Sequence, residues 1–346
     1  KRQDRYQALH GIAGDRTIPT IATGHHRDDV AEGVAMQLLR GGGPRALAGI
    51  ASETPSGVIR PLLPWTRAEI VAWLEDAEVK WREDSSNQDL DLLRNRVRHD
   101  VLSQLEKTSP AIRDHLVNLA EALAADEGFF ADELRALGLW IEPWEPEGGV
   151  LLKSIVDLPP PLRSRWLHAQ AHRIGIPRVT RSQLKLFQTM IAIGSPRAVT
   201  LGQRWCLRPA RGFLWLEPPQ SPPAFSIDLR VGESVELPFP GWMARFGPET
   251  DQSNDRVWRF RPPEGACPHL RSACDDDAVL VEDGAEIRAR KIIARALPRH
   301  LRAAWPLCCE DDKIYWIPGV WRGPENPSPA GHVVEVIRSG RPSCVV

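Results

Sequence analysis

The stretch that decides the fold is Thr20-Ile21-Ala22-Thr23-Gly24-His25-His26-Arg27-Asp28-Asp29-Val30-Ala31-Glu32. A short apolar run ends at Gly24, two histidines follow, and a helix is predicted from there because Val30, Val34 and Leu38 recur at four-residue spacing. A strand followed directly by a helix predicts an α/β fold with a parallel sheet, in which functional groups collect at the carboxyl ends of the strands.

The predicted helix carries three acids near its first turn, Asp28, Asp29 and Glu32. Helical spacing places them on neighbouring faces, and the positive end of the helix dipole favours their ionised forms. Ionised carboxylates are the ligands that Mg²⁺ prefers, so these residues are predicted to hold Mg²⁺. Simple stabilisation of the helix N-terminus is the alternative, and the adjoining histidines at the end of a strand favour a site.

Composition limits the protein class. The chain has 346 residues with a hydrophobic fraction of 42% and a charged fraction of 26%, as expected for a globular protein of two or three domains. Its net charge of −1 excludes a uniformly basic nucleic-acid coat but allows local basic patches. No apolar run reaches the length of a membrane span and no signal peptide is recognisable, so we expect a cytoplasmic protein without membrane contact.

Arginine supplies most of the positive charge, since only seven of the 44 basic residues are lysine. Guanidinium groups suit phosphates and base edges, although a GC-rich genome would produce the same bias. Among the cysteines, Cys267, Cys274 and Cys308 could join His269 in a zinc site, but their spacing fits no familiar motif. Reduced, buried thiols are the preferred interpretation.

Further candidate residues follow along the chain. Arg60 lies near the end of a predicted strand, and Arg94 and Arg98 share a helical face, where they could clamp phosphates of ATP or RNA. Ion pairs with nearby acids, Asp89 and Asp91, are the alternative for these two arginines. Asp84 and Asn87 lie in a polar loop and could orient a bound ligand, or simply form an Asx turn. Arg40 and Arg45 flank three glycines in a loop that could hold an anion or serve only as a flexible turn.

The remaining chain is predicted to be modular. Thr66 and Glu69 form a capping box for a helix with Ile70, Trp73 and Leu74 as its buried stripe. A long helix after Pro110 is expected to be interrupted at Gly128. The proline- and glycine-containing segment 143–149 marks a boundary, which predicts a catalytic domain with a helical connector at 1–148 and two small α+β domains at 149–217 and 224–346.

A basic patch marks the last of these domains. It surrounds a predicted helix near the C-terminal third of the chain and is proposed to contact RNA phosphates; its members are Arg288, Lys291, Arg295, Arg299 and Arg302. A solvated charged face is the alternative.

The ordered motifs resemble one family. Residues 24–32 and the following Leu39-Arg40-Gly41-Gly42-Gly43, then residues 60–63, 81–87 and 94–99, are similar to the signatures of tRNA(Ile)-lysidine synthetases, which are N-type ATP pyrophosphatases. The resemblance covers residues 20 to 100 well and the rest loosely. It implies a partial Rossmann-like ATP-pyrophosphatase domain and C-terminal domains that bind tRNA.

The resemblance also implies an activity. Members of the family use ATP to adenylate the wobble cytidine in the CAU anticodon of tRNA(Ile), and free L-lysine then displaces AMP to form lysidine. The implied cofactors are ATP and Mg²⁺, and a homodimer is one of the assemblies it allows. Asp28, Asp29 and Glu32 would be the catalytic and Mg²⁺-binding acids; the residues that bind nucleotide and substrate would be His25, His26, Arg60, Asp84, Asn87, Arg94, Asn95 and Arg98.

Two departures from the family pattern affect the expected activity. The Ser-Gly-Gly-x-Asp-Ser loop that cradles ATP phosphates does not occur in the sequence, and Gly33 stands where the family usually has threonine. We therefore expect the chain as printed to lack the first part of its nucleotide-binding domain, to bind ATP poorly and not to turn over. Two other interpretations stay open: a tRNA-thiolating ATP pyrophosphatase, and a non-catalytic tRNA-binding relic.

Overall fold

The computed structural model describes residues 2–54, 56–82, 93–249, 256–263, 267–281, 285–310, 313–323 and 332–338. The chain folds into two compact units, Lys1–Leu137 and Gly138–Cys344. Within the described ranges, no helix has the length and apolar character needed to cross a membrane. The division of the second unit into two domains stays a prediction.

The first unit is mainly helical around a short parallel strand pair. Its helices and strands are α1 Arg2–Asp15, β1 Ile21–Ala22, α2 Arg27–Leu39, α3 Pro44–Leu47, β2 Val58–Ile59, α4 Arg67–Asp76, α5 Leu93–Arg96, a π-helical turn Val97–Val101, α6 Leu102–Thr108 and α7 Ile112–Leu137.

Strands β1 and β2 are parallel, with Ile21 opposite Val58 and Ala22 opposite Ile59. Both strands therefore end at the same edge, which places the segment after β1 beside Arg60, the residue after β2. The predicted parallel pairing is confirmed. Helix α2 also begins directly after the two histidines, as the sequence predicts.

The core of the first unit forms on one face of α2. Val30 and Val34 are buried. They belong to an apolar cluster that also contains Ala31, Ala35, Val97, Leu102, Leu116, Val117 and Ala120. Because the π-helical turn, α6 and α7 supply five of these nine residues, burial of apolar surface holds the start of α2 against later parts of the chain.

Two helix predictions are wrong in part. The Thr66 capping box is present, with Glu69 N–H donating to Thr66 Oγ1 at 3.2 Å and Thr66 N–H donating to Glu69 Oε2 at 2.7 Å. However, α4 has no buried residue and Trp73 is 67% exposed, so its apolar stripe is not a core face. Helix α7 runs through Gly128 without interruption, because one glycine costs a helix only about 1 kcal/mol.

The second unit begins with three helices on a small antiparallel sheet. Its first elements are β3 Val150–Leu151, α8 Leu152–Val156, α9 Pro160–Arg173, α10 Arg181–Ile193, β4 Val199–Thr200, β5 Cys206–Ala210 and β6 Phe213–Glu217, with strand order β3-β6-β5-β4. The rings of Trp166 and Phe187 stack at 5.8 Å in the core between α9 and α10. Strands β4, β5 and β6 form an antiparallel meander, and Thr180 and Gln183 form a capping box at the start of α10.

The rest of the second unit is rich in antiparallel strands. Its elements are β7 Ser226–Asp228, β8 Ser234–Glu236, β9 Trp242–Pro248, β10 Arg256–Phe260, β11 His269–Ser272, β12 Ala278–Leu280, β13 Glu286–Arg288, α11 Ala289–Ala296, β14 Pro306–Glu310, β15 Lys313–Ile317, β16 Trp321–Arg322 and β17 His332–Arg338. The sheets have the orders β10-β17-β9-β8 and β16-β15-β14-β11-β7. Their core contains the mutually contacting rings of Trp242, Trp258 and Trp305.

Residues 143–149, which are predicted to mark a boundary, pack within this unit: Trp242 Nε1 donates to the Trp144 carbonyl at 3.0 Å. The cysteine prediction is correct in part. Cys308 is buried, and burial raises the pKa of its thiol. Cys267 and Cys274 are exposed, so the prediction of buried thiols fails for these two.

Candidate functional site

Helix α2 starts on a capping arrangement built from the histidines and acids that follow β1. The His26 backbone N–H donates to Asp29 Oδ2 at 2.9 Å, which satisfies a main-chain donor just before the helix. The Thr23 hydroxyl and His25 Nδ1 share a hydrogen bond at 3.0 Å, which orients the imidazole. The local sequence therefore fixes both histidines and the first acids at the strand edge.

The most buried charged group in this region is Glu32, whose surface is fully covered. Arg94 Nε donates to Glu32 Oε2 at 2.9 Å, and Arg94 Nη2 donates to Asp29 Oδ1 at 2.6 Å. Arg98 Nε donates to Glu32 Oε1 at 2.5 Å and its Nη2 donates to Oε2 at 3.0 Å. We call these four residues, Asp29, Glu32, Arg94 and Arg98, the neutral cluster, because two carboxylates face two guanidinium groups.

The neutral cluster answers the question that the sequence left open about the two arginines. Arg94 and Arg98 act together, as their spacing predicts, but on Asp29 and Glu32 of α2. The alternative partners, Asp89 and Asp91, lie outside the described residues. Hydrogen bonding to Glu32 raises the pKa of Arg98, so this guanidinium group stays charged at any physiological pH.

Asp28 lies apart from the neutral cluster. Its Oδ2 accepts from the Arg67 backbone N–H at 2.8 Å and lies 3.4 Å from His26 Nδ1, while its Oδ1 lies 3.7 Å from Arg113 Nη1. The adjacent His26 ring, together with the Arg67 N–H and the charge of Arg113, lowers the pKa of Asp28 to about 2 in spite of partial burial. Asp28 is therefore ionised at neutral pH.

A cavity of about 650 Å³ opens on one side of the neutral cluster; we call it the arginine cavity. Its charged and titratable lining residues are Arg5, His25, Asp29, Arg40, Arg60 and Arg94. Arg60 is 7% exposed; its Nη1 donates to the Ala51 carbonyl at 2.5 Å, whereas its buried Nε has no hydrogen-bond partner. A buried, incompletely satisfied guanidinium among other cations fits a polyphosphate.

A second cavity of about 690 Å³ lies beside the start of helix α4; we call it the α4 cavity. Its charged and titratable lining residues include His26, Asp28, Glu32, Arg67, Arg98 and Arg113. It presents an ionised carboxylate together with guanidinium groups, and these can bind the positive and the negative group of a zwitterion. Glu32 and Arg98 of the neutral cluster form part of its wall.

The predicted Mg²⁺ site of Asp28, Asp29 and Glu32 does not fit this geometry. Asp28 lines the α4 cavity, Asp29 lines the arginine cavity, and both oxygens of Glu32 accept from arginines. Within the described ranges, no group of three histidine, cysteine or acidic side chains is arranged to hold a metal ion.

The remaining predicted residues fall into two sets, one described and one outside the described residues. Asn95 is buried in the same segment as Arg94. Asp84 and Asn87 lie outside the described residues. Sequence reasoning missed Arg67 and Arg113, which reach Asp28 from α4 and α7; nothing in the local sequence around either residue signals that contact.

The five predicted RNA-binding residues all lie in or beside α11. Arg302 is half-buried and the other four, Arg288, Lys291, Arg295 and Arg299, are exposed. Arg290 of the same segment is different, because it forms an ion pair with Asp275.

Comparison with known proteins gives one matching family model and several similar sequences. Residues 1–105 match the PP-loop domain family of ATP-binding proteins. A tRNA(Ile)-lysidine synthase from Chromobacterium violaceum is 30% identical, in an alignment covering 92% of this chain and 73% of that protein. The enzyme of the same name from Geobacillus kaustophilus is 28% identical over 91% of this chain and 72% of its own length.

Two further matches are partial. The tRNA(Ile)-lysidine synthase from Solibacter usitatus is 38% identical, but the alignment spans 39% of this chain and 31% of that protein. Among solved structures, the U34-tRNA thiolase NcsA from Methanococcus maripaludis superimposes with a TM-score of 0.29 at 25% identity, covering 35% of this chain and 41% of that one. A superposition this weak supports no conclusion about function.

Proposed function

The chain belongs to the tRNA(Ile)-lysidine synthase family, and on that premise we propose that its first unit carries the site that joins lysine to the wobble cytidine of tRNA(Ile) with a CAU anticodon. In the first step the oxygen on C2 of cytosine attacks the α-phosphorus of ATP and pyrophosphate leaves. In the second step the ε-amine of free L-lysine attacks C2 and AMP leaves with that oxygen. The two steps need one pocket for phosphates and one for an amino acid.

The observation that carries the proposal is the pair of cavities on either side of the neutral cluster. The arginine cavity supplies cations for the ATP phosphates; among them is Arg60, whose buried Nε has no hydrogen-bond partner. His25, oriented by Thr23, lies in the same cavity and could contact the nucleotide or the cytosine. Preorganised cations of this kind stabilise charge that develops on phosphate oxygens during transfer.

The α4 cavity is assigned to lysine. Asp28, with its low pKa, would bind an ammonium group, and Arg98 or Arg113 would bind the carboxylate. Only the neutral ε-amine is nucleophilic, and guanidinium groups near it would favour loss of its proton. The neutral cluster then positions the two substrates by forming the wall between them.

The experiment measures the two half-reactions in separate assays. The tRNA-dependent exchange of pyrophosphate into ATP reports the first step without lysine, and transfer of labelled lysine to the tRNA reports both. Arg60→Gln is expected to raise the KM for ATP about tenfold or more in both assays, because a charge-assisted hydrogen bond contributes roughly 1.5–3 kcal/mol. Asp28→Asn is expected to raise the KM for lysine and to leave pyrophosphate exchange unchanged.

The matched controls are Arg135→Gln and Asp114→Asn, which make the same chemical changes at exposed positions of α7. Both should behave as wild type. Absence of ATP-dependent lysine transfer by the wild-type protein would refute the proposed function. Loss of pyrophosphate exchange in Asp28→Asn would refute the assignment of the α4 cavity to lysine.

A further inference from the structure

A serine, a histidine and an aspartate are hydrogen-bonded in series on strands β7 and β11 of the second unit. Ser226 Oγ lies 2.9 Å from His269 Nε2, and His269 Nδ1 lies 2.6 Å from Asp228 Oδ1. The three side chains share one face of the sheet, because Asp228 is opposite His269 in the antiparallel register and Ser226 is two residues before Asp228. We call Ser226, Asp228 and His269 the β7 triad.

The positions of the protons in the β7 triad follow from the carboxylate. An ionised carboxylate can only accept hydrogen bonds, so His269 Nδ1 carries a proton and donates it to Asp228. In the neutral imidazole, Nε2 then has no proton and accepts from the Ser226 hydroxyl. A hydroxyl that donates to an imidazole, which in turn donates to a carboxylate, is the arrangement that activates a serine as a nucleophile.

The hydroxyl of Ser226 is accessible from solvent. Ser226 is exposed, and β7 is the edge strand in the order β16-β15-β14-β11-β7. The Phe225 carbonyl and the Leu229 N–H both bond toward β11, so the N–H groups of the alternate residues Ser226 and Asp228 point away from that strand. The outward N–H of Ser226 can donate to the oxyanion that forms when its own hydroxyl attacks a carbonyl carbon.

His269 is one of the four residues from which the sequence could assemble a zinc site. Its two ring nitrogens instead lie within hydrogen-bond distance of Ser226 and Asp228. Across the part of the chain that the structure describes, no three histidine, cysteine or acidic side chains are grouped to hold a metal ion. The surroundings of this imidazole therefore favour proton transfer over metal binding.

We propose that the β7 triad hydrolyses unhindered carboxylic esters, an activity separate from lysine ligation. His269 Nε2 takes the proton of the Ser226 hydroxyl as Oγ attacks the carbonyl carbon, and gives that proton to the departing alkoxide, which leaves as the alcohol. Water then attacks the acyl group on Ser226. Its proton passes through His269 to Ser226 Oγ, which releases the carboxylic acid and restores the triad.

Asp228 is a positioning residue, since it reaches the substrate only through His269. Its side chain is 87% exposed, so water screens its charge and we expect a smaller effect than a buried carboxylate would have. Asp228→Asn should lower kcat for p-nitrophenyl acetate about tenfold with KM unchanged, whereas His269→Gln should lower it at least about 100-fold, because general acid–base catalysis contributes roughly 10²–10⁴-fold. Asp228→Glu should recover part of the loss.

The decisive variant is Ser226→Ala, which removes one exposed oxygen atom. Its hydrolysis of p-nitrophenyl acetate should fall to the rate of buffer alone. A fluorophosphonate reports the nucleophile directly, since Ser226 Oγ displaces fluoride from phosphorus and the adduct is located by mass spectrometry. The adduct should form on Ser226 of the wild type and should be lost in His269→Gln. Lysine transfer by Ser226→Ala should be unchanged, because the β7 triad lies outside the first unit.

The matched control is Ser234→Ala, since Ser234 is also an exposed serine on an edge strand, β8 of the other sheet. This variant should hydrolyse the ester as the wild type does, and Ser234 should stay unlabelled. Hydrolysis by Ser226→Ala at the wild-type rate would overturn the inference. Equal labelling of Ser226 and Ser234, or labelling of Ser226 that is as fast in His269→Gln as in the wild type, would also overturn it.

Discussion

The neutral cluster of the first unit and three arginines of the second unit, Arg211, Arg299 and Arg302, use the same side chain in opposite ways; we call these three the seam arginines. In the neutral cluster, Arg94 and Arg98 meet carboxylates and are fixed within a wall between two cavities. Among the seam arginines, burial and the positive charges of Arg211 and Arg299 lower the pKa of Arg302. Arginines whose charge is neutralised within the protein stabilise the fold, whereas arginines with like-charged neighbours are available to bind an external anion.

The largest expected effect comes from breaking the neutral cluster with Glu32→Gln. Removing one partner of a buried ion pair leaves uncompensated charge, so the free energy of unfolding should fall by about 3 kcal/mol. Lysine transfer should be abolished because both cavity walls shift. The measurements are urea unfolding of the protein and labelled-lysine transfer.

Glu121→Gln is the control for this variant, since Glu121 is 67% exposed and lies 3.8 Å from Arg27. It should retain stability and turnover. Near-normal turnover in Glu32→Gln would show that the cluster is not needed for function.

A second prediction concerns pH and Asp28. Its pKa is about 2 in the folded protein against 3.8 ordinarily, so between these values the unfolded chain binds more protons. Its contribution is therefore complete above about pH 5 and is lost as pH falls toward 2, amounting to about 2 kcal/mol. Urea unfolding at several pH values should show wild type and Asp28→Asn converging over this range, and a constant difference between them would contradict the assignment.

The sequence predicted those features that depend on neighbouring residues. The start of α2 and the Thr66 capping box follow from local caps and periodicity, and the structure confirms them. The stripe of α4 fails because periodicity reveals an apolar face but not whether another element covers it. The partners of Arg94 and Arg98 could not be predicted from local sequence either, because 62 to 66 residues separate these arginines from the acids that they bind.

A third prediction separates packing from charge beside the neutral cluster. Gly33 lies within α2 and lines the arginine cavity, and a Cβ added there meets no atom within 4 Å. Gly33→Ala should therefore raise the free energy of unfolding by about 1 kcal/mol through helix propensity alone. Gly49→Ala is the opposite case, because Gly49 has φ +73° and its Cβ would lie 3.1 Å from Val30 and Ala120; it should destabilise in the same urea assay.

The smallest expected effect concerns the seam arginines and is the sharpest test of the comparison. If Arg299 repels Arg302, then Arg299→Gln should leave stability unchanged or raise it by up to about 0.5 kcal/mol. An arginine that stabilises the fold through an ion pair should show the opposite change in stability. Arg271→Gln leaves its ion-pair partner Asp277 unpaired and largely buried, so it should lower the free energy of unfolding by more than about 1 kcal/mol. Thermal unfolding of both variants at low salt measures the difference. A destabilised Arg299→Gln would place that residue with the neutralised arginines and remove the distinction drawn between the two regions.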